Sequence, residues 1–220
     1  MISYRNLNLH TLNTPEYSHV KLLLYWPVYG LAFLTLERLL PGMEYHVVQC
    51  SLDNYIPFCE AFFIPYEFWF VFLIGMALYG LMFDTTAFRR YMWFIIITYS
   101  VTCVIYLVYP TEQLLRPDSF ARDNLLTRAV AGLYAFDTNT NVCPSIHVLG
   151  SVAVLFGAWQ SKHFSTRGWR AAFLGMTLLI SISTVLIKQH SIIDIFTAVL
   201  LCIPVWIFLD RVNWKRSARA

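Results

Sequence analysis

The chain has 220 residues and a net charge of +3; 58% of its residues are hydrophobic, 13% are charged, and the mean hydropathy is +0.55. A soluble domain carries about 25% charged residues, so the composition excludes an ordinary water-soluble globule and points to a membrane protein. The 16 Lys and Arg residues form no single patch, which speaks against a nucleic-acid-binding surface.

Residues 1–21 are polar and lack the charged, apolar and small-residue order of a cleaved signal, so they read as a polar N-terminal tail. Six apolar segments follow, at 22–40, 62–83, 91–109, 147–160, 169–187 and 191–209. A bilayer core of about 30 Å takes about 20 helical residues, and backbone groups in lipid must be satisfied internally. The fold class expected is therefore all-α, a polytopic six-transmembrane-helix bundle over 22–210. With the N-terminus cytoplasmic, eleven Lys and Arg fall on the inner side and five (Arg38, Arg116, Arg122, Arg128, Lys188) on the other. This asymmetry places both termini in the cytoplasm and makes 211–220 a basic C-terminal tail. The fourth segment is short, so chemistry at its start would sit at headgroup depth.

The first outer loop, 41–61, carries Glu44, Asp53 and Glu60 but no Lys or Arg, and holds Cys50 and Cys59, which are either bridged or two free thiols. The five cysteines include no C-x-x-C pair, so no structural zinc module is indicated. The loop 111–143 is unusually long, and long loops in compact domains are often functional. Within it, Asp118 or Ser119 is placed to cap an amphipathic surface helix over 120–136.

Two clusters bracket the fifth segment. Asn141-Val142-Cys143-Pro144-Ser145-Ile146-His147 opens the fourth, and Lys188-Gln189-His190-Ser191-Ile192-Ile193-Asp194 opens the sixth. Both fall on the same side, at helix N-termini, where unpaired N–H groups suit an anion. Pro144 fits a first helical turn. His190 and Asp194, four apart, share a helix face, so the carboxylate can hold one imidazole nitrogen and leave the other free.

These residues resemble the signatures of the superfamily of type 2 phosphatidic acid phosphatases and vanadium haloperoxidases: K-x6-R-P, P-S-G-H and S-R-x5-H-x3-D. The chain offers Arg116-Pro117, then Pro144-Ser145-Ile146-His147, then Ser183, His190 and Asp194, in that order. It departs at Tyr109 (lysine in the signature), Ile146 (glycine) and Thr184 (arginine). The reduced pattern, with the string HSIIDI, is similar to the branch of inositol phosphorylceramide and sphingomyelin synthases. The resemblance implies that His190 attacks phosphorus, Asp194 orients it, and His147 acts as general acid and base. Arg116, Ser145 and Lys188 would bind the phosphate, with Arg122 or Arg128 as further candidate cations. It implies no cofactor, no metal, and a lipid phosphate as substrate. Hydrolysis is the first expectation, and transfer of a phospho-headgroup to a lipid hydroxyl the alternative.

A lone histidine at a helix end is usually an interfacial residue; the two together, with Pro144-Ser145 and Asp194 at family spacing, reverse that balance. Asp118, Asp137 and Asn141 read as turn and cap residues, Tyr134 as interfacial packing, and Glu37 and Arg38 as partners of water or of each other. Glu67 reads equally as a substrate contact or a surface residue. Two rivals stand: a zinc site from Cys143, His147, His190 and Asp194, and a small transporter using the histidines as a proton relay.

Overall fold

A computed structural model describes residues 3–39, 44–212 and 214. These residues are mostly helical, with seven α-helices: α1 (Tyr25–Leu34), α2 (Phe63–Phe83), α3 (Thr85–Val108), α4 (Leu125–Phe136), α5 (Ile146–Gln160), α6 (Arg167–Leu186) and α7 (Ile192–Arg211). A 3-10 segment, Ser18–Leu24, runs into α1, and π-helical turns at Thr35–Leu39 extend it. Five helical stretches are long and apolar enough to cross a membrane: Ser18–Arg38, Glu60–Phe83, Thr85–Val108, Arg167–Leu186 and Ile192–Arg211. The chain is thus an integral membrane protein by helix length and composition. The end of the expected first segment at Leu40, the loop residues 41–43, and most of the expected basic tail 211–220 lie outside the described residues.

The fourth expected span is α5, only 15 residues long. It packs against α2, α3, α6 and α7, and nearly every residue from His147 to Ala158 is buried. Enclosed by four longer helices, α5 is not among the five stretches long enough to cross a membrane. Glycines let the neighbours close on it. A Cβ on Gly150 would lie 2.6 Å from Tyr99 Oη and 2.9 Å from Trp69 Nε1, and small residues are what allow helices in membranes to approach closely.

The helix ends follow their capping residues. Asp84 is the single residue between α2 and α3, and its carboxylate accepts the Ala87 N–H (3.0 Å). Thr166 caps α6 and Ser191 caps α7. The surface helix expected over 120–136 begins later than Asp118 or Ser119 would set it. Asn124 caps α4 at the Thr127 N–H (3.0 Å) while Thr127 Oγ1 accepts the Asn124 N–H (2.9 Å), a reciprocal box that fixes the start at Leu125. The long loop is tied to the first one by a two-residue parallel pairing of β1 (His46–Val47) with β2 (Thr111–Glu112), a small departure from an all-helical fold. At the far end of the bundle the N-terminal segment folds onto the helices: Tyr4 Oη donates to the Leu81 carbonyl (2.6 Å) and contacts His19 Nε2 (2.8 Å).

Candidate active site

The starts of α5 and α7 are brought together. The Ser145 N–H, just before α5, donates to the Asp194 carbonyl in the first turn of α7 (3.2 Å). Tyrosines of α3 brace the same corner, Tyr106 Oη on the Pro144 carbonyl (2.6 Å) and Tyr99 Oη on the Ile146 carbonyl (3.1 Å). As a result the His147 and His190 rings lie 5.6 Å apart, edge to face. His190 Nδ1 is 3.0 Å from Asp194 Oδ2, which also accepts the Ser191 N–H (3.0 Å). His190 therefore has one nitrogen held and the other available. His147 sits between the rings of Tyr66 (4.3 Å) and Trp69 (4.5 Å) on α2, and its Nδ1 is buried without a partner.

Of the phosphate-binding candidates, Ser145 lies in this corner, fully buried, with an unpartnered Oγ. Arg116 is held in the wall of the same region by residues around the histidines. Its Nε bonds Gln189 Oε1 (3.1 Å), Nη1 the Tyr134 carbonyl (3.2 Å), and Nη2 the carbonyls of Asp137 (3.1 Å) and Thr138 (2.7 Å). Its guanidinium stacks 4.6 Å over the Tyr134 ring, and burial lowers its basicity. Lys188 donates from Nζ to the Asp53 carbonyl (2.9 Å), and burial lowers its ammonium pKa against the pull of Asp53. The two further cations are out on the surface: Arg122 pairs with Glu60 (3.4 Å) and Arg128 with Asp123 (2.7 Å). At the signature departures, Thr184 bonds its own helix through Oγ1 at the Ser181 carbonyl (2.8 Å), and Tyr109 stacks 4.0 Å from His46.

A cavity of about 30 Å³ opens beside the histidines, lined by Phe33, Asp137, Thr138, Thr140, Asn141, Val142, Ile146, His147, Gln189 and His190. That is room for a water-sized group. Its lining includes one carboxylate and neither Lys nor Arg. Burial foremost raises the Asp137 pKa, with His190 and Arg116 opposing; Asp137 Oδ2 accepts from Gln189 Nε2 (3.2 Å).

Several residues here escaped the sequence reading. Glu37 reaches across from the end of α1 to accept hydrogen bonds from Thr138, from Thr140 Oγ1 (3.2 Å) and from Asn141 Nδ2 (2.7 Å), while Arg38 donates to the Phe136 carbonyl (2.7 Å). These two residues therefore stitch the cavity wall rather than pair with each other. Tyr134 donates to the Ile187 carbonyl. Asp53, read only as one acid of the first loop, is buried and binds the start of α7. Gln189, flanking His190, is the hub between Arg116 and Asp137. The signal available for these was only their chemical type, since their partners lie far away in the chain.

All five cysteines are free thiols, including Cys50 and Cys59. Burial foremost pushes the Cys143 thiol up to about 12, and it sits 3.1 Å from Thr197 Oγ1. Among the described residues no group of three or more His, Cys, Asp or Glu is arranged to hold a metal ion. No family model matches the chain, and neither a curated protein nor a solved structure matches it.

Proposed function

We propose that the protein is a membrane enzyme that breaks lipid phosphate esters through a phosphohistidine, a divergent member of the type 2 phosphatidic acid phosphatase superfamily. The observation that carries this reading is the His147–His190–Asp194 cluster, with one nitrogen of His190 held by Asp194 and the other facing no fixed partner. The proposal includes six spans, α5 counted among them, both termini in the cytoplasm, and a site at headgroup depth on the opposite side.

In the first step His190 Nε2 attacks phosphorus: a P–N bond forms and the P–O ester bond breaks. His147 gives its proton to the leaving alkoxide. In the second step His147 takes a proton from water or from an acceptor hydroxyl, whose oxygen attacks phosphorus as the P–N bond breaks. Asp194 holds the imidazole orientation throughout. The Ser145 hydroxyl, unpartnered and buried, supports a role as donor to a phosphoryl oxygen. The small cavity requires its wall at 137–142 to give way when a substrate binds.

Phosphomonoester hydrolysis is the simplest such activity. The charge inventory favours the alternative, headgroup transfer. A monoester carries close to two negative charges at neutral pH, whereas a diester carries one, and the cavity lining presents Asp137 and neither Lys nor Arg, the Arg116 guanidinium behind it being taken up by carbonyls and Gln189. A diester donor is the better electrostatic match. Mass analysis of products decides between them, with the purified protein given a panel of lipid phosphates and phosphodiesters, with and without a diacylglycerol or ceramide acceptor. Inorganic phosphate without acceptor establishes hydrolysis; a new headgroup on the acceptor establishes transfer. Neither product from folded protein, together with solute flux into vesicles, would replace this reading with a transporter.

A further inference from the structure

We infer that Asp53, in the loop between the first two apolar segments, is a positioning residue that fixes His190 from both sides; the inference rests on reading His190 as the nucleophile. Asp53 is 138 residues away from Ser191 in the chain, yet its carboxylate accepts the Ser191 hydroxyl (2.6 Å), the Ile192 N–H (2.9 Å) and the Cys50 N–H (2.8 Å). Its main-chain carbonyl accepts the Lys188 ammonium (2.9 Å). Lys188, two places before His190, and Ser191 and Ile192, the two residues after it, are thus bound to a single residue of another loop.

The local backbone gives such a clamp a purpose. The turn leaving α6 is a Schellman motif, with the Lys188 N–H on the Val185 carbonyl (3.2 Å) and the Gln189 N–H on the Thr184 carbonyl (2.9 Å). Its left-handed position, φ 57°, is Lys188 rather than glycine, and a side chain there is disfavoured. A turn of this kind needs holding from outside. Beyond it, the first N–H groups of α7 are divided between two buried carboxylates: Asp194 takes Ser191, and Asp53 takes Ile192. Ser191 joins them, donating to Asp53 while its Oγ accepts the Ile193 N–H (3.1 Å). The first turn of α7 carries Asp194, so whatever fixes that turn fixes the partner of His190 as well. Lys188 thereby acts on the histidine's backbone, not on a phosphate.

The test uses the full chain in detergent micelles: wild type, Asp53→Asn, Asp53→Ala and Ser191→Ala, each assayed well below its own cooperative thermal transition. The first readout is independent of activity, the rate at which diethyl pyrocarbonate modifies His190, followed by peptide mass. Loosening of the clamp is expected to raise that rate roughly tenfold in Asp53→Ala and less in Asp53→Asn, which keeps an acceptor. The second readout is turnover: kcat falls about 10–100-fold with KM unchanged, as for misplacement of a reacting group. Should Asp53→Ala fail to fold, Ser191→Ala, which removes only the hydroxyl, carries the test. Altered His190 reactivity in a protein that turns over no phosphate ester upholds the clamp and removes the enzymatic reading. Unchanged reactivity with unchanged kcat, or a raised KM at constant kcat, overturns the inference.

Discussion

The two ends of the helix bundle treat buried polar groups differently. At the end away from the histidines, Tyr79 Oη meets Ser161 Oγ (2.8 Å), Ser161 donates to Asp84 (2.8 Å), and Arg90 reaches Gln160 (2.9 Å), which in turn donates to Asp210 (2.7 Å). One atom of that network, Arg90 Nε, lacks a partner, and so does His19 Nδ1 at the same end of the bundle. At the histidine end, Asn141 Oδ1, Ser145 Oγ, His147 Nδ1 and Asp194 Oδ1 are all buried without partners. Buried polar groups are normally hydrogen-bonded, and leaving one unpaired costs about 1–3 kcal/mol. Concentrating four of them in one corner is the mark of a place arranged for a ligand rather than for stability. The opposite end is a lock; the unsatisfied groups gather at the end where the proposed site lies.

The largest effect that could break this contrast is on turnover. His190→Ala is expected to reduce product formation to background, and His147→Ala to lower kcat about 10²–10⁴-fold, the usual worth of a general acid–base. Asp194→Asn should lower it less than His190→Ala, because it disturbs orientation and not the nucleophile. Rates of headgroup or phosphate release from one lipid preparation check the order. Equal activity in all variants would reduce the histidine end to a second structural network.

Next in size is the reciprocal change at the lock. Asp84→Ala removes the cap of α3 and the acceptor of Ser161, at a cost of about 1–2 kcal/mol. In a thermal melt the variant should unfold earlier, while turnover per folded molecule stays at the wild-type value. A loss of turnover without a loss of stability would mean that the two ends are coupled.

Why one end was easier to read follows from the distances along the chain. His190 and Asp194 are four residues apart, and Pro144-Ser145-Ile146-His147 is continuous, so both announce themselves as local patterns. The apolar runs likewise mark α2, α3, α6 and α7 by length alone. Glu37 binds Asn141 across 104 residues and Asp53 binds Ser191 across 138; no spacing rule links such pairs, because tertiary packing alone brings them together. Arg116 shows the converse. The motif Arg-Pro is visible, but the folded chain surrounds that guanidinium with carbonyl oxygens. The start of α4 was legible in principle, since Asn124 and Thr127 stand three apart as capping partners do, yet the earlier Asp118 and Ser119 are equally good caps by type.

A smaller effect separates two carboxylates at the histidine end by pH. Burial works to raise the Asp53 pKa, but the hydrogen bonds from Ser191, Ile192 and Cys50 outweigh it and hold the group below its usual 3.8. Its stabilisation is therefore present above the unfolded value and is lost as pH falls through the folded one. Asp137 has the opposite sign: burial raises it, so its ionisation costs stability once pH has risen past the unfolded value. At pH 7, Asp53→Asn should lower the melting temperature by about 2–4 °C, the shift that ~1 kcal/mol produces in a chain of this size. Asp137→Asn should raise it. Both differences should shrink on acidification, that of Asp53 only as pH falls through its depressed value below 3.8, and melts recorded at pH 7 and at about pH 2 read them directly. A raised melting temperature for Asp53→Asn would mean that the hydrogen bonds on Asp53 do not outweigh its burial, and a lowered one for Asp137→Asn that its hydrogen bond from Gln189 offsets its own.

The smallest expected effect sharpens the boundary of the site. Arg128 lies in the first turns of α4 and is one of the cations that could replace those missing from the signatures. Its guanidinium is exposed and pairs with Asp123 through both Nε (2.7 Å) and Nη2 (2.9 Å), and it does not line the cavity. Exposed pairs of this kind contribute little, so Arg128→Ala should leave both the melting temperature and kcat within about twofold or experimental scatter of wild type. A large fall in kcat would show that α4 swings inward when substrate binds and brings its arginine to the phosphate. In that event the cavity's lack of a cation belongs to the empty state alone, and the electrostatic argument for a phosphodiester donor over a monoester would lose its footing.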